Sequence, residues 1–154
     1  MARGFLRLIF IDDSDGTGKL CAEAVAEGFS GRRRAYFDLE VLKRFAGVIS
    51  EYPLPDRRRC QINSGFLSKG EQGKLQQEHL GIDVYPIDGR GHIGVQIRLA
   101  TQLWQGSRTD SQKTAKLEVI TTYEPLRKFS ADLLALLNGN IDEVRLDDVS
   151  TDGL

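Results

Sequence analysis

The sequence predicts an α+β fold, mainly antiparallel sheet with two helices, built as two tandem related units. Three observations predict it. Apolar residues alternate with a period of two in several segments, this period changes to 3.6 after Asp38 and again after Thr122, and the same order of segments occurs twice. Each unit reads as β-hairpin, strand, helix, strand. The units span 6–67 and 79–149, with 68–78 as a linker, inside one domain of residues 1–154.

The two hairpins are predicted from a repeated turn. The pattern Asp-Gly-x-Gly occurs at 15–18 and at 88–91, each time between two apolar runs, which is typical of a tight turn with positive φ. At this offset of 73 residues, apolar positions of the first hairpin match those of the second: Ile9 and Ile11 match Ile82 and Val84, and Leu20, Ala22, Ala24 and Ala26 match Ile93, Val95, Ile97 and Leu99.

The two helices follow with an offset of 84. Asp38 and Thr122 are the predicted N-caps, and apolar residues then recur at spacings of three and four on one face. Phe45 and Phe129 should occupy equivalent core positions. Stops after each helix, and buried positions beyond them, predict a closing strand in each unit: Tyr52-Pro53 before Cys60 and Ile62, and Asn138-Gly139 before Val144 and Leu146.

The change of offset from 73 to 84 predicts eleven extra residues between Ala100 and Lys116 in the second unit. This insertion carries the only Trp of the chain, Trp104, together with Arg108. Trp and Arg are enriched in binding hot spots, so we expect a partner-binding site formed by Trp104 and Arg108 with Arg90 and His92 of the adjacent turn. The alternative is that Leu103 and Trp104 extend a strand and cover the sheet edge.

Composition narrows the classes of protein. The 154 residues are 40% hydrophobic and 28% charged with a net charge of −1, which indicates one globular domain and does not favour nucleic-acid binding. No apolar run approaches the roughly 20 residues that span a bilayer, so we expect no membrane association and a cytoplasmic location. Cys21 and Cys60 lie in predicted strands and are expected to be reduced, buried and inert.

Arginines are concentrated at 32–34 and 57–59, on either side of a helix that contains Lys43 and Arg44. Two interpretations stay open. They form a site for an anion or an acidic protein, or they form a solvated strand edge that discourages further pairing. Arg32, Arg34 and Arg98 on a sheet face are the possible anion-binding residues, while Arg33 departs from the core pattern.

No catalytic residue, metal site or cofactor is predicted. Neither His79 nor His92 has a Cys or a second His within five residues, as a zinc site would require, and no nucleophile elbow occurs. His92 lies close enough to Asp88 in sequence to act with it as a general base, but a surface imidazole at the start of a strand is the favoured interpretation. We therefore expect a binding protein rather than an enzyme.

One stretch of about 20 residues supports a particular kind of binding protein. Residues 28–31 and 35–45, a strand, cap and helix pattern, resemble a feature of small bacterial proteins, among them immunity proteins of polymorphic toxin systems related to the WapI immunity family. The resemblance implies a bacterial cytoplasmic protein that neutralises a toxin-like partner by binding it. The alternatives are a module that binds a small molecule or an anion, and an enzyme with a site on the sheet face; the sequence does not indicate an oligomeric state.

Overall fold

A computed structural model describes residues 4–70 and 73–150. The fold is α+β with mainly antiparallel sheet, as predicted, and single 3₁₀ turns occur at Arg57–Arg59 and Thr109–Ser111. The elements in chain order are β1 (Phe5–Asp12), β2 (Thr17–Ala26), β3 (Phe29–Asp38), α1 (Leu39–Val48), β4 (Gln61–Leu67), β5 (Leu75–Pro86), β6 (His92–Ala100), β7 (Thr114–Thr122), α2 (Tyr123–Leu137) and β8 (Val144–Asp147).

The strands form two four-stranded antiparallel sheets. Sheet A has the order β3-β2-β1-β8, and sheet B has the order β4-β5-β6-β7. Each half of the chain therefore contributes three strands to one sheet and its closing strand to the other. The predicted closing strands exist, but each pairs with the opposite half rather than with its own. Both halves have the same order of elements; a duplication of the sequence stays a prediction.

Hairpin register decides which residues of β1 face the core. Leu6 pairs with Ala24 and Leu8 pairs with Ala22, so Leu6 and Leu8 lie on the buried face of sheet A. The match of Ile9 and Ile11 to Ile82 and Val84 is wrong, because Ile82 and Val84 are buried whereas Ile11 is exposed. The β1–β2 turn and the β5–β6 turn differ in length. One offset therefore cannot align both strands of the first hairpin with both strands of the second.

The helices match the prediction closely. Asp38 and Thr122 are the N-caps, and Phe45 and Phe129 are both 3% exposed. Each helix contacts strands of both sheets: α1 touches β3 and β4, while α2 touches β1, β7 and β8. The helices also pack on each other, and the buried Ser130 hydroxyl donates to the main-chain oxygen of Ala46. The helices thus connect the two sheets into one core.

The halves differ in the length of one connection between strands. A two-residue turn with positive φ at Glu27 and Gly28 joins β2 to β3, whereas residues 101–113 join β6 to β7. The second connection is eleven residues longer than the first, as the change of offset predicts. The predicted linker 68–78 needs correction, since β5 begins at Leu75 and Ser68 N–H donates to the Lys74 carbonyl within a β4–β5 hairpin.

The inner faces of the sheets approach most closely along β3, which contacts every strand of sheet B. A Cβ atom at Gly31 would lie only 2.7 Å from Leu99 Cδ1, so a larger residue there would require the Leu99 side chain to move. Gly31, Arg33, Ala35 and Phe37 alternate along β3 toward sheet B, and Arg32 and Arg34 therefore point to the outer face. Arg33 is thus an arginine on the inner face, as its break in the pattern indicated.

Candidate functional site

The insertion presents its tryptophan to solvent. Trp104 is 62% exposed, and its ring contacts the Phe66 ring of β4 with centroids 4.9 Å apart. Phe66 in turn meets His79 of β5 edge to face at 4.6 Å. Leu67, the neighbour of Phe66, is 65% exposed. We call this group, Phe66, Leu67, His79 and Trp104, the aromatic end of the molecule.

One side chain holds the insertion in place. Gln77 donates from Nε2 to the Leu103 carbonyl at 2.7 Å and accepts from Leu103 N–H at 3.1 Å. The same Gln77 Oε1 lies 2.9 Å from His79 Nε2. Because an amide oxygen only accepts, this arrangement places the His79 proton on Nε2. The insertion is therefore fixed to β5 directly beside Trp104, and Trp104 does not extend a strand.

The surroundings of His79 favour its neutral form. The residue is 4% exposed, and this burial lowers its pKa below the ordinary value, with a further decrease from the positive charge of Arg33. Arg33 Nε is itself buried and has no hydrogen-bond partner among the described residues. The burial of His79 was not predictable from the sequence, because the β4–β5 register shifts at this point. Ser64 pairs with Leu80 and Gly65 with Glu78, which leaves His79 as an extra residue in β5.

Arg90 and His92 do not belong to this group. They lie at the start of β6, whereas Trp104 and Arg108 follow its end, and a nine-residue strand is about 30 Å long. The predicted four-residue site is therefore divided between opposite ends of sheet B. Only the pair Trp104 and Arg108 shares one loop.

The turn at Arg90 and His92 is braced by Asp88. Its carboxylate accepts from the main-chain N–H groups of Arg90 and His92, and Asp88 Oδ2 lies 2.7 Å from His92 Nδ1. The hydrogen bond from Arg90 N–H is the largest cause of a pKa of Asp88 below its ordinary value, and the His92 side chain adds to it. Asp88 and His92 thus form a pair, and its visible role is to close the turn.

The three candidate anion-binding arginines are also separated. Arg32 and Arg34 lie on the outer face of β3, the edge strand of sheet A, whereas Arg98 lies on the outer face of sheet B. Arg98 is paired with Glu78 at 2.7 Å, and this hydrogen bond raises its pKa. The expectation that these residues share one face is corrected. The position of Arg32 and Arg34 agrees with the solvated-edge interpretation.

Arg98 belongs to a charged cluster that the sequence analysis missed. Its centre is Asp83, 4% exposed, which accepts from Arg57 Nε and Gln61 Nε2 at 3.0 Å each and forms an ion pair with Arg98 Nη1 at 3.0 Å. Arg57 also stacks on the Tyr85 ring, and burial raises the Tyr85 pKa. An acid between Ile82 and Val84 was the available signal. Its charges are matched internally, so the cluster stabilises sheet B.

Neither cysteine forms a disulfide. Cys60 is fully buried, and burial raises the pKa of its thiol. Cys21 pairs with Ile9 and Arg34 on the outer face of sheet A and is only half-buried, which corrects the expectation that both thiols lie in the core.

Comparisons with known proteins add no relative: the chain matches no family model, no curated protein and no solved structure. Within residues 4–70 and 73–150, no helix is long and apolar enough to cross a membrane. The same residues contain no group of three or more His, Cys, Asp or Glu side chains placed to hold a metal ion.

Proposed function

We propose that the chain is a protein-binding module that contacts its partner through the aromatic end. The observation that carries this proposal is the placement of Trp104, an exposed indole on a loop that Gln77 fixes to β5. An anchor that is ordered before binding loses little conformational freedom on association. Exposed aromatic side chains with this support are typical of interface hot spots.

The insertion also limits the chemistry of the partner. Arg108 lies in the same loop as Trp104, is exposed, and makes no side-chain ion pair with a described residue. An indole beside a free guanidinium fits an apolar pocket with an acidic rim on the partner. A toxin is the class of partner that the immunity-protein resemblance implies.

The insertion contributes little to the core, which supports a role outside folding. The equivalent connection in the first half is the two-residue turn Glu27–Gly28, and that turn is sufficient to join the corresponding strands. Long connections in compact domains are commonly functional. A partner can therefore bind residues 101–113, which connect two strands of sheet B, without disturbing those strands.

Photo-crosslinking tests this proposal in the cells that produce the chain. A benzophenone amino acid replaces Trp104 in one variant and Tyr36 in a second; Tyr36 is 59% exposed on the opposite sheet and serves as the matched control. We expect one partner to be captured from position 104 and not from position 36. No adduct at position 104, or the same adducts at both positions, would contradict the proposal.

The captured partner then allows a quantitative test. We expect Trp104→Ala to weaken its binding by about 30-fold, equivalent to about 2 kcal/mol, as hot-spot truncations do. The melting temperature should change little, because Trp104 is mostly exposed, and Tyr36→Ala should bind like the parent chain. Unfolding of the Trp104→Ala variant would show instead that Trp104 is required for the fold. For a toxin partner, co-expression of the parent chain should restore growth, and Trp104→Ala should not.

A further inference from the structure

A second surface lies between α1 and β4. It is an open groove of about 320 Å³. Its apolar lining consists of Val41, Phe45, Val48 and Ile62, and its polar lining consists of Arg44, Arg58, Arg59 and Gln61.

The charge of this groove is uncompensated. Arg44, Arg58 and Arg59 are exposed, and in residues 4–70 and 73–150 none of their side chains forms an ion pair or a hydrogen bond. Their neighbour Arg57 differs, since it is bound to Asp83. No carboxylate lines the groove. Three guanidinium groups without a counter-charge attract an anionic ligand.

The groove also contains the free edge of a sheet. β4 is an edge strand of sheet B, and Val84 N–H donates to the Cys60 carbonyl at 2.9 Å. Antiparallel pairing alternates along a strand, so the main-chain groups of Ile62 point toward β5, and those of Gln61 and Asn63 point away from it. Farther along, the Ser64 hydroxyl donates to the Tyr36 carbonyl, where β3 approaches the edge. The open stretch is therefore Gln61–Asn63.

We propose that this groove binds a short acidic segment of another protein in an extended conformation. The segment pairs with the free edge at Gln61 and Asn63, as in strand addition to other sheet edges. Its carboxylates contact Arg44, Arg58 and Arg59. An alternating apolar side chain rests on Val41 and Val48. An isolated small anion would use the arginines but neither the strand edge nor the apolar lining.

The probe is a fluorescent eight-residue peptide of alternating Glu and Val, and its binding is measured by fluorescence polarisation. We expect binding that weakens as salt is added, and no binding of the peptide in which Lys replaces Glu. Arg58→Gln combined with Arg59→Gln should weaken binding at least about tenfold, which corresponds to two exposed ion pairs. The matched control is Arg32→Gln with Arg34→Gln, exposed arginines on β3, which should bind within about twofold of the parent chain.

Three results would overturn the proposal. They are no binding of the acidic peptide, an equal loss in the β3 control, and undiminished binding of a peptide with N-methylated main-chain amides, which cannot pair as a strand. If the double variant fails to fold, Arg44→Gln on the exposed surface of α1 replaces it and should weaken binding in the same direction. Trp104→Ala should keep full peptide binding, so failure of this groove and failure of the aromatic end are distinguishable.

Discussion

His79 shows how one buried side chain makes stability depend on pH. Its pKa in the folded protein lies below the ordinary value of 6.5, because burial and Arg33 both disfavour the charged imidazolium. Above about pH 6.5 the imidazole is neutral in the folded and unfolded states and contributes no pH dependence. Below this pH the unfolded chain takes up the proton first, so the folded state loses stability until the pH reaches the folded pKa.

We therefore expect the free energy of unfolding to decrease as the pH is lowered from about 6.5, measured by urea denaturation at each pH. His79→Gln should remove this part of the decrease, and Arg33→Met should reduce it. All other side chains are the same in the parent and the His79→Gln chains, so the difference between the two curves isolates His79. Parallel curves would contradict the assignment.

At the residue scale, the sequence shows which residues are unusual, but it does not show which residues surround them in the fold. Arg33 was recognised as a break in the core pattern, and it does lie on the inner face. The effect of the Arg33 charge on the pKa of His79 was not predictable, because it depends on how β3 crosses sheet B. The match of Ile9 and Ile11 to the buried Ile82 and Val84 failed for a related reason, since the register of a hairpin depends on its turn and not on a fixed offset.

At the element scale, the two helices should contribute similarly to stability. Phe45 and Phe129 are 3% exposed, and each is on the face of its helix that meets the core. Replacement of either by Ala should lower the free energy of unfolding by about 3 to 5 kcal/mol, as large-to-small changes at buried aromatic positions do. Val41→Ala, on the exposed part of α1, is the matched control and should lower it by much less.

Guanidinium denaturation of the three variants measures these differences. A small loss for one phenylalanine and a large loss for the other would show that the two helices are not equivalent in the core. If a single variant lost the far-UV circular dichroism signal of both helices, this result would show in addition that α1 and α2 form cooperatively.

Elements were predictable where their signal is local. The N-caps Asp38 and Thr122 follow from residue types and spacing over short stretches. The sheet to which β4 belongs, and the sheet to which β8 belongs, do not follow from local signals. Cys60, Ile62, Val144 and Leu146 indicate which face of each closing strand is buried, but the same pattern would suit either sheet. The candidate anion site failed similarly, because alternation places Arg32, Arg34 and Arg98 on outer faces without stating that these faces belong to different sheets.

At the scale of the whole molecule, the exchange of closing strands makes each half depend on the other. A break in the β4–β5 hairpin after Gly70 would leave residues 1–70 with three strands of sheet A and one strand of sheet B. We expect neither fragment alone to unfold cooperatively, and an equimolar mixture to form a 1:1 complex. The fluorescence emission of Trp104 should change on mixing, because the Phe66 ring that contacts Trp104 is in the other fragment.

Size-exclusion chromatography and thermal denaturation of the fragments, separately and mixed, provide the measurement. A fragment with its own cooperative transition would show that a half is an independent folding unit. A mixture that never associates would show that the β1–β8 and β4–β5 pairings are too weak to hold the halves together.

The pairing of β1 with β8 has a consequence for how the protein is made. Phe5 and Asp147 are partners, so β1 waits for β8, which is translated much later, before sheet A is complete. During this time one edge of β1 remains open to other chains, and unpaired edges favour aggregation. Assembly of sheet A must therefore finish after β8 has left the ribosome, and β8, only four residues long, is the strand that closes this edge.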